Sequence, residues 1–116
     1  MAVTGTSYDV YPLFTSFGGF IFGQDDQGNW NPEDLGVDSE GMIEGAAWLA
    51  ENVANGNLPA DWDWANNHAL FETGKVPFIM AGPWALQRIR ESGVPYAITN
   101  FPDGGVPFAG TLGFFF

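Results

Sequence analysis

The sequence has no cysteine and very little positive charge. Without cysteine the chain can form no disulfide, no thiolate zinc site and no cysteine nucleophile. Three lysines and arginines stand against 14 aspartates and glutamates, so the formal net charge is −11 at neutral pH. Because a surface of that sign repels phosphate groups, we expect no nucleic-acid partner and no attraction to anionic membranes.

Long hydrophobic runs and the common catalytic motifs are missing too. No stretch approaches the ~20 apolar residues of a membrane-spanning helix, so we expect no membrane insertion. Met1 is followed by neutral residues, which predicts that this chain carries no signal peptide. The sequence has no GxSxG, HExxH, P-loop or dinucleotide-binding glycine pattern, and we therefore expect no cofactor.

What is present instead is a heavy aromatic load. Five tryptophans, 11 phenylalanines and three tyrosines make up 16% of the 116 residues. Aromatic rings build hydrophobic cores, and their flat faces also serve as platforms for sugars and other ligands. The length suits one folding unit, so residues 1–116 are interpreted as a single domain.

The first two thirds of the chain predict helices and a hairpin. We expect a helix over 8–17 with Pro12 in its first turn, and a β-hairpin within FIFGQDDQGNWN. A longer helix is predicted over 38–55, with Asp38 as its N-cap and a short helix following from an Asp63 cap. The core-facing positions predicted for the long helix are Met42, Ala46, Leu49 and Val53.

The last third predicts a βαβ unit. Its parts are a strand, a helix and a strand, at 76–81, 84–92 and 96–101, and a further apolar strand begins near Pro107. The predicted fold class is therefore α/β, with a small, mostly parallel sheet flanked by helices. Because the sequence ends on three phenylalanines, we expect the chain to be a piece of a longer protein.

The junction after the strand at 76–81 is the first candidate ligand site. In open α/β sheets, ligands bind beyond the carboxyl ends of the strands, where helix N-termini converge. Gly82 would let a ligand approach the backbone, and the indole face of Trp84 would stack on a sugar ring. The alternative is that Trp84 packs down on the sheet.

The start of the first helix is the second candidate. Tyr8 offers a ring and Asp9 a carboxylate that accepts hydrogen bonds from sugar hydroxyls; alternatively Asp9 caps the helix and the ring edges the core. Of Trp62 and Trp64, one is expected to pack inward and the other, with a preference for Trp64, to line a cleft. The two remaining tryptophans, Trp30 and Trp48, are interpreted as structural.

Catalysis and metal binding have thin support. His68 is the only histidine, and we interpret it as structural rather than as a general base. Asp25, Asp26 and Asn29 could hold Ca²⁺ on a turn, but their spacing does not follow the EF-hand register, so no metal site is predicted.

Several segments in order carry a resemblance to a known family. They are YDVYPLF before a Gly-Gly pair, DLGVDSEG before a helix, ALFETGKVPFIMAGPWA, VPYAITNFP and VPFAGTLGF. Together they resemble the maltose/maltodextrin-binding protein family, the extracytoplasmic solute receptors of ABC importers. The resemblance implies a periplasmic-binding-protein-like lobe that is incomplete relative to the full two-lobe receptor and corresponds to part of its carboxy-terminal lobe.

The resemblance also implies a function and its residues. The tryptophan of the GPWA motif, Trp84, would be the stacking platform for a glucose unit, and Tyr8 would contribute a second ring. By position, Asp9 and Trp64 would line the same groove. The implied ligand is a maltose- or maltotriose-type α-glucan, bound without catalysis. The parent receptor would be periplasmic or lipid-anchored at the cell surface and would dock on an ABC permease.

Two other classes of function stay open. A small glycoside hydrolase would use two of the many carboxylates on one glycosidic bond. A structural or self-associating scaffold would use an exposed apolar surface to form dimers. Only the hydrolase would release reducing sugar, and only the scaffold would change its sedimentation with protein concentration.

Overall fold

The computed structural model describes residues 1–3, 7–60, 63–110 and 113. These residues form helices and short strands in one chain, which confirms the predicted α/β class. The helices are α1 (Ser7–Ser16), α2 (Glu40–Ala54), α3 (Trp64–Glu72) and α4 (Leu86–Ser92). The strands are β1 (Ala2–Val3), β2 (Phe22–Gln24), β3 (Trp30–Leu35) and β4 (Ile79–Met80).

The parallel sheet is smaller than predicted and has a different partner strand. β4 pairs in parallel with β1, in the register Ala2 to Ile79 and Val3 to Met80. The predicted second strand of the βαβ unit is wrong, because residues 96–101 pair with no strand among the described residues and are mostly exposed. A strand needs a free neighbouring edge, and a favourable apolar pattern does not supply one. The described residues from Pro107 to Gly110 are not a strand either, and the end of that predicted strand lies largely outside the described residues.

The predicted hairpin is confirmed. β2 and β3 are antiparallel, with Gln24 opposite Trp30 and Phe22 opposite Leu35, and the register is irregular between Phe22 and Gly23. The apolar residues of this hairpin are largely exposed, with Trp30 at 70%, Leu35 at 53% and Phe22 at 44%. Trp30 therefore does not pack in the core, so its predicted structural role is wrong.

Helix α1 differs from its prediction at its proline. The helix begins at Ser7, which puts Pro12 in the second turn rather than the first. Pro12 has no N–H to donate to the carbonyl of Tyr8, a loss that its burial in the core offsets. Its own carbonyl oxygen lies within hydrogen-bond distance of the hydroxyl oxygens of Thr15 (3.2 Å) and Ser16 (2.8 Å).

Helix α2 begins one residue later than predicted, and two of its predicted core-facing residues, Leu49 and Val53, pack against the core. Its N-cap is Ser39 rather than Asp38, and its C-terminus is closed by Gly56, whose φ of 72° suits glycine. Ala46, predicted to face the core, is exposed. The buried residues of this helix are Gly41 and Gly45.

Those two glycines explain how α2 approaches α1. A side-chain carbon on Gly45 would come within 2.9 Å of the Phe14 ring, and one on Gly41 would collide with the backbone at Phe17 and Gly18. The helices therefore touch backbone to backbone, and larger side chains would separate them. The sequence prediction relied on the helical spacing of large apolar residues. A contact made by two glycines gives no such signal, so the prediction does not contain it.

The core is small. Val10, Leu58 and Met80 form its buried centre. Half-buried apolar side chains surround this centre, and they are Met1, Leu13, Phe14, Trp48, Leu49, Val53 and Phe101. The structural role predicted for Trp48 agrees with this packing, in which its ring lies 6.3 Å from the ring of Phe17.

Candidate functional site

The structure brings Tyr8 and Trp84 together from distant parts of the sequence. Tyr8 lies in the first turn of α1, and Trp84 lies in a 3-10 turn, Pro83–Ala85, between β4 and α4. Their ring centroids are 5.9 Å apart at an interplanar angle of 58°. Tyr8 is 38% exposed and Trp84 57% exposed, so both rings present apolar surface to solvent. Two tilted, exposed rings can stack on the apolar face of a bound sugar.

Gly82 is needed for the position of the Trp84 ring. A side-chain carbon on Gly82 would collide with three carbons of the indole, so the ring lies directly over the backbone of this glycine. The sequence analysis expected Gly82 to leave room for a ligand at the backbone. In the structure that room holds the indole, and Gly82 contributes to the site by seating Trp84.

Asp9 is close to the site in sequence but turns toward the interior. It lies inside the first turn of α1 rather than at its N-cap, and it is only 8% exposed. A carboxylate in the first turn is favoured by the helix dipole. Its charge acts to raise the pKa of His68 on α3, against the net lowering of that pKa by desolvation and by Arg88. A ligand would reach little of this carboxylate.

Trp64 belongs to a second cluster on α3 and α4. Its ring lies 4.4 Å from the ring of His68, and the guanidinium of Arg88 lies 4.6 Å above its centroid. Trp64 is 44% exposed, so part of the ring remains accessible. The described ring contacts of Trp64 are with His68 and Arg88, whereas the rings of Tyr8 and Trp84 contact each other. Trp62, the other candidate of the pair, lies outside the described residues.

The second cluster is an ion-pair network around the single histidine. Arg88 donates from Nε and Nη2 to the two carboxylate oxygens of Glu72, with the second bond at 3.0 Å. This contact lowers the pKa of Glu72 and raises the pKa of Arg88. His68 is fully buried, with Nδ1 at 3.4 Å from Oε1 of Glu72. A histidine with no accessible surface cannot reach a substrate, which agrees with its structural interpretation.

Burial controls the charge of that histidine. Desolvation lowers the pKa of His68, and the positive charge of Arg88 lowers it further. The carboxylates of Glu72 and Asp9 act in the opposite direction without reversing the shift. His68 is therefore held neutral at neutral pH, and the Arg88–Glu72 pair carries the charge of the cluster.

Phe108 is a neighbour of the site that residue-by-residue reasoning missed. Its ring is stacked on Tyr11 at 4.0 Å and lies 5.5 Å from Tyr8. The signal in the sequence is the spacing of Tyr8 and Tyr11, which places both rings on one side of a helix. An aromatic side of a helix needs an apolar packing partner, but the spacing of Tyr8 and Tyr11 does not show which distant residue packs there.

Both rings of the pair are exposed, at 38% and 57%. A hollow of about 530 Å³ lies elsewhere, lined by Thr99, Asn100, Phe101, Gly104, Gly105 and Pro107. A second, of about 290 Å³, is lined by Asn66, Ala69, Leu70, Thr73 and Lys75. None of the predicted site residues lines either of these two hollows.

The acidic turn of the hairpin is organised by its own hydrogen bonds. The Asp25 carboxylate accepts from the backbone N–H groups of Gln27 and Asn29, both at 2.9 Å, and from the Asn29 amide at 3.0 Å. The side-chain bond from Asn29 is the main cause of a lowered pKa of Asp25. Within the described part of the chain, no group of three or more histidines and carboxylates is arranged to hold a metal ion. In the same residues, no helix is long and apolar enough to cross a membrane.

Comparison with known proteins connects this geometry to a family. The sequence profile of the bacterial extracellular solute-binding proteins matches residues 4–115. The chain is 31% identical to the galactooligosaccharide-binding protein of Bacillus subtilis, over 88% of the chain and 25% of the relative. It is 30% identical to the maltodextrin-binding protein MdxE of the same species, over 91% of the chain and 27% of the relative.

A third relative comes from an archaeon. The maltotriose-binding protein of Pyrococcus abyssi is 26% identical over 83% of the chain and 20% of its own length. The chain thus spans about a quarter of the length of these curated relatives.

Proposed function

Because this chain belongs to the family of bacterial extracellular solute-binding proteins, we propose that it is an oligosaccharide-binding part of an ABC-importer receptor. It acts outside the cytoplasm, and residues 1–116 form one unit of the carboxy-terminal lobe. The relatives support an extracytoplasmic site of action, because one of them is named a solute-binding lipoprotein. The permease of the importer is the partner of the whole receptor.

The pairing of Tyr8 with Trp84 is the observation on which this function rests. The two rings come from α1 and from the turn after β4, and they stay exposed at 38% and 57% although aromatic side chains are costly to leave in water. The tilt of 58° between the two rings makes a corner whose exposed surfaces can contact one sugar ring. Stacking of this kind requires no enclosed pocket.

The ligand we propose is a maltose- or maltotriose-type α-glucan. Several relatives are named for maltotriose, maltodextrin or maltooligosaccharide binding. Another is named for galactooligosaccharides, so the choice of sugar is a matter for direct comparison. The paired rings supply apolar contact, and hydroxyl recognition comes from polar groups around them.

The proposed function is binding without catalysis. Glycoside hydrolysis needs two carboxyl groups facing one bond, whereas Tyr8 and Trp84 offer flat apolar faces. Asp9, the carboxylate next to this pair in sequence, is 8% exposed. His68 is fully buried. Incubation with maltotriose is expected to release no reducing sugar over time, and steady release would contradict this part of the proposal.

The test of sugar binding is a titration followed by tryptophan fluorescence. Maltotriose is expected to produce a saturable change, and a galactooligosaccharide of equal length a weaker one. Trp84→Ala removes the platform and is expected to weaken binding by about 2 kcal/mol or more, roughly thirtyfold in Kd. Because the chain spans about a quarter of the length of its relatives, it offers only part of a receptor's contacts, and we expect Kd values in the millimolar rather than micromolar range.

A matched control separates the site from the other tryptophans. Trp30→Ala removes a ring that is 70% exposed on the hairpin, and it is expected to leave the titration with maltotriose unchanged. Equal losses in the two variants would contradict a site at Trp84. A folded wild-type chain that shows no change with either sugar would contradict autonomous sugar binding.

Self-association is a second candidate function, favoured by the hairpin. Phe22, Trp30 and Leu35 lie on its two strands and are 44%, 70% and 53% exposed. Exposed apolar side chains of this size are typical of surfaces that contact other proteins. The occupant we propose for the hairpin is a second copy of the chain, with hairpin against hairpin.

A further inference from the structure

Phe108 lies between two tyrosines of α1. Its ring is stacked on Tyr11, with centroids 4.0 Å apart and planes 11° from parallel. It also meets Tyr8, at 5.5 Å and an interplanar angle of 38°. One face of Phe108 is therefore covered by Tyr11, and the ring as a whole is half-buried.

The segment that carries Phe108 is fastened to the same side of α1. The hydroxyl of Thr15 donates to the carbonyl of Val106 at 2.9 Å and accepts from its N–H at 2.7 Å. One turn of helix separates Tyr8 from Tyr11 and another separates Tyr11 from Thr15, so these three residues form one stripe. Phe108 is two residues after Val106 and is thereby held against this stripe.

A second tether lies at the start of the segment. The hydroxyl of Ser16 donates to the carbonyl of Pro102 at 3.1 Å. Gly105 approaches α1 so closely that a side-chain carbon there would lie 2.8 Å from the carbonyl oxygen of Pro12. The segment 102–108 is thus seated on the helix by hydrogen bonds and close contact at several points.

Groups from two distant segments lie beside the Tyr8 ring. The Trp84 ring lies on one side at 5.9 Å, and the Phe108 ring lies on another at 5.5 Å. At its hydroxyl end, Tyr8 is next to Gly110, where a side-chain carbon would lie 3.1 Å from the phenol oxygen. With its neighbours this close, the ring has few orientations available.

We propose that Phe108 is a positioning residue for the sugar site, acting through Tyr8. It holds the Tyr8 ring at the angle to Trp84 that makes the pair a single platform. The proposal deepens the proposed function and rests on it for the ligand, because the platform is the sugar-binding surface. Phe108 itself has one face covered by Tyr11, so the proposal assigns its effect on binding to the orientation of Tyr8 rather than to a contact with sugar.

The first test needs no ligand. In the wild-type chain, proton cross-relaxation by NMR is expected between the rings of Tyr8 and Trp84. Phe108→Leu removes the flat ring while keeping an apolar side chain, and the Tyr8–Trp84 signal is expected to weaken. Phe108→Tyr keeps the ring and is expected to restore it. Cross-relaxation between Trp64 and His68, whose centroids are 4.4 Å apart, is the internal control and should persist in every variant.

A second variant reaches the same ring without touching Phe108. Thr15→Val is nearly isosteric and removes both hydrogen bonds to Val106. It is expected to weaken the Tyr8–Trp84 signal in the same direction as Phe108→Leu. An unchanged signal in folded Phe108→Leu would overturn the proposal; if that variant does not fold, an unchanged signal in Thr15→Val would do so.

The second test is a double-mutant cycle with maltotriose as the probe. Phe108→Leu is expected to weaken binding roughly three- to tenfold when Tyr8 is present, the range typical of one aromatic pair. In a Tyr8→Ala background the same change is expected to have no further effect. An equal loss in both backgrounds would mean that Phe108 contacts the sugar directly and would overturn a positioning role.

The two tests keep this proposal apart from the proposed function. If no variant binds maltotriose, including the folded wild-type chain, the sugar-binding proposal fails. The ligand-free spectra then still decide whether Phe108 orients Tyr8.

Discussion

At the scale of single residues, burial decides what the one histidine does. His68 is fully buried beside Glu72, Arg88 and Trp64, and desolvation followed by the charge of Arg88 lowers its pKa. In the unfolded chain the imidazole returns to its ordinary pKa of 6.5. The unfolded state therefore binds more protons than the folded state once the pH falls below that value.

The consequence is a loss of stability on mild acidification. The contribution of neutral His68 is fully present above pH 6.5 and is lost as the pH falls toward its lowered folded pKa. We expect the free energy of unfolding, measured with urea, to decrease steadily from about pH 7 to about pH 5.5. Most carboxylates titrate below this range, so the decrease belongs to the single imidazole.

The control for this prediction is a chain without the imidazole. His68→Gln is expected to lower stability at neutral pH, because a buried contact is disturbed, but to flatten its pH dependence. A wild-type unfolding free energy that is constant over the same range would show that His68 has an ordinary pKa in the fold.

The residues of the site show how far sequence reasoning reaches at this scale. Trp84 and Tyr8, each beside the start of a helix, are predicted to contact the same sugar, and the structure places their rings in contact with each other. Their sugar-binding role stays a prediction. Asp9 and Trp64 were predicted to share the groove, but Asp9 is buried and Trp64 packs with His68 and Arg88. The direction of a side chain depends on the tertiary neighbours of its helix, which local spacing does not contain.

At the scale of elements, the helix ends distinguish one aspartate from another. Asp63 is the N-cap of α3, and its carboxylate accepts from the backbone N–H of Asn66 at 2.8 Å. Asp38 is predicted to be the N-cap of α2, but the helix begins one residue later. Its N-cap is Ser39, whose side chain makes no cap hydrogen bond. The two aspartates are both exposed, and capping geometry is what separates them.

This difference predicts unequal effects of the same substitution. Asp63→Ala removes a cap bond and is expected to lower the free energy of unfolding by about 1 kcal/mol. Asp38→Ala, the matched control, is expected to change it by less than about 0.5 kcal/mol, as at other exposed positions. Chemical denaturation of the two variants measures both values, and equal losses would contradict the assigned caps.

Helix α2 shows the limit of pattern reading for elements. Its existence and its end at Gly56 follow from the sequence, because glycine readily adopts the φ of 72° found there. The predicted core side is right at Leu49 and Val53, but it does not include Gly41 and Gly45, because glycines carry no hydrophobic signal of their own. They matter only because α1 lies across them, a fact of tertiary packing.

At the scale of the whole molecule, the chain is thin and wide. Its principal extents are 46 × 45 × 22 Å and its radius of gyration is 16.0 Å, against about 13 Å for a compact domain of this length. A layer this thin buries few side chains from both sides, which is why the buried core reduces to a few residues around Val10 and Met80. The hairpin belongs to this thin layer, and its apolar side chains Phe22, Trp30 and Leu35 are exposed for the same reason.

That shape predicts association that depends on concentration and salt. Sedimentation velocity is expected to show the wild-type chain moving to larger species as its concentration rises. Because each copy carries a net charge of −11, the shift should grow as salt screens repulsion. Trp30→Ser is expected to reduce it, whereas Gln24→Ser, which changes the polar partner opposite Trp30, should leave it intact. A sedimentation coefficient that is independent of concentration would exclude this function for the hairpin.

The sequence by itself determined the α/β class, the approximate positions of the helices, the Asp63 cap and the Gly56 end, the hairpin and the family. These features depend on local spacing and on turn residues, which act over a few neighbouring positions. It also singled out Trp84 and Tyr8 as candidate ligand contacts.

Tertiary structure alone decided the partner of β4, the glycine contact between α1 and α2, the inward turn of Asp9 and the place of Phe108 against Tyr8. Each of these joins residues far apart in sequence, and their encounter depends on how whole elements pack. Packing selects among many arrangements that local propensities leave nearly equal in free energy, and that selection is the physical reason for the division.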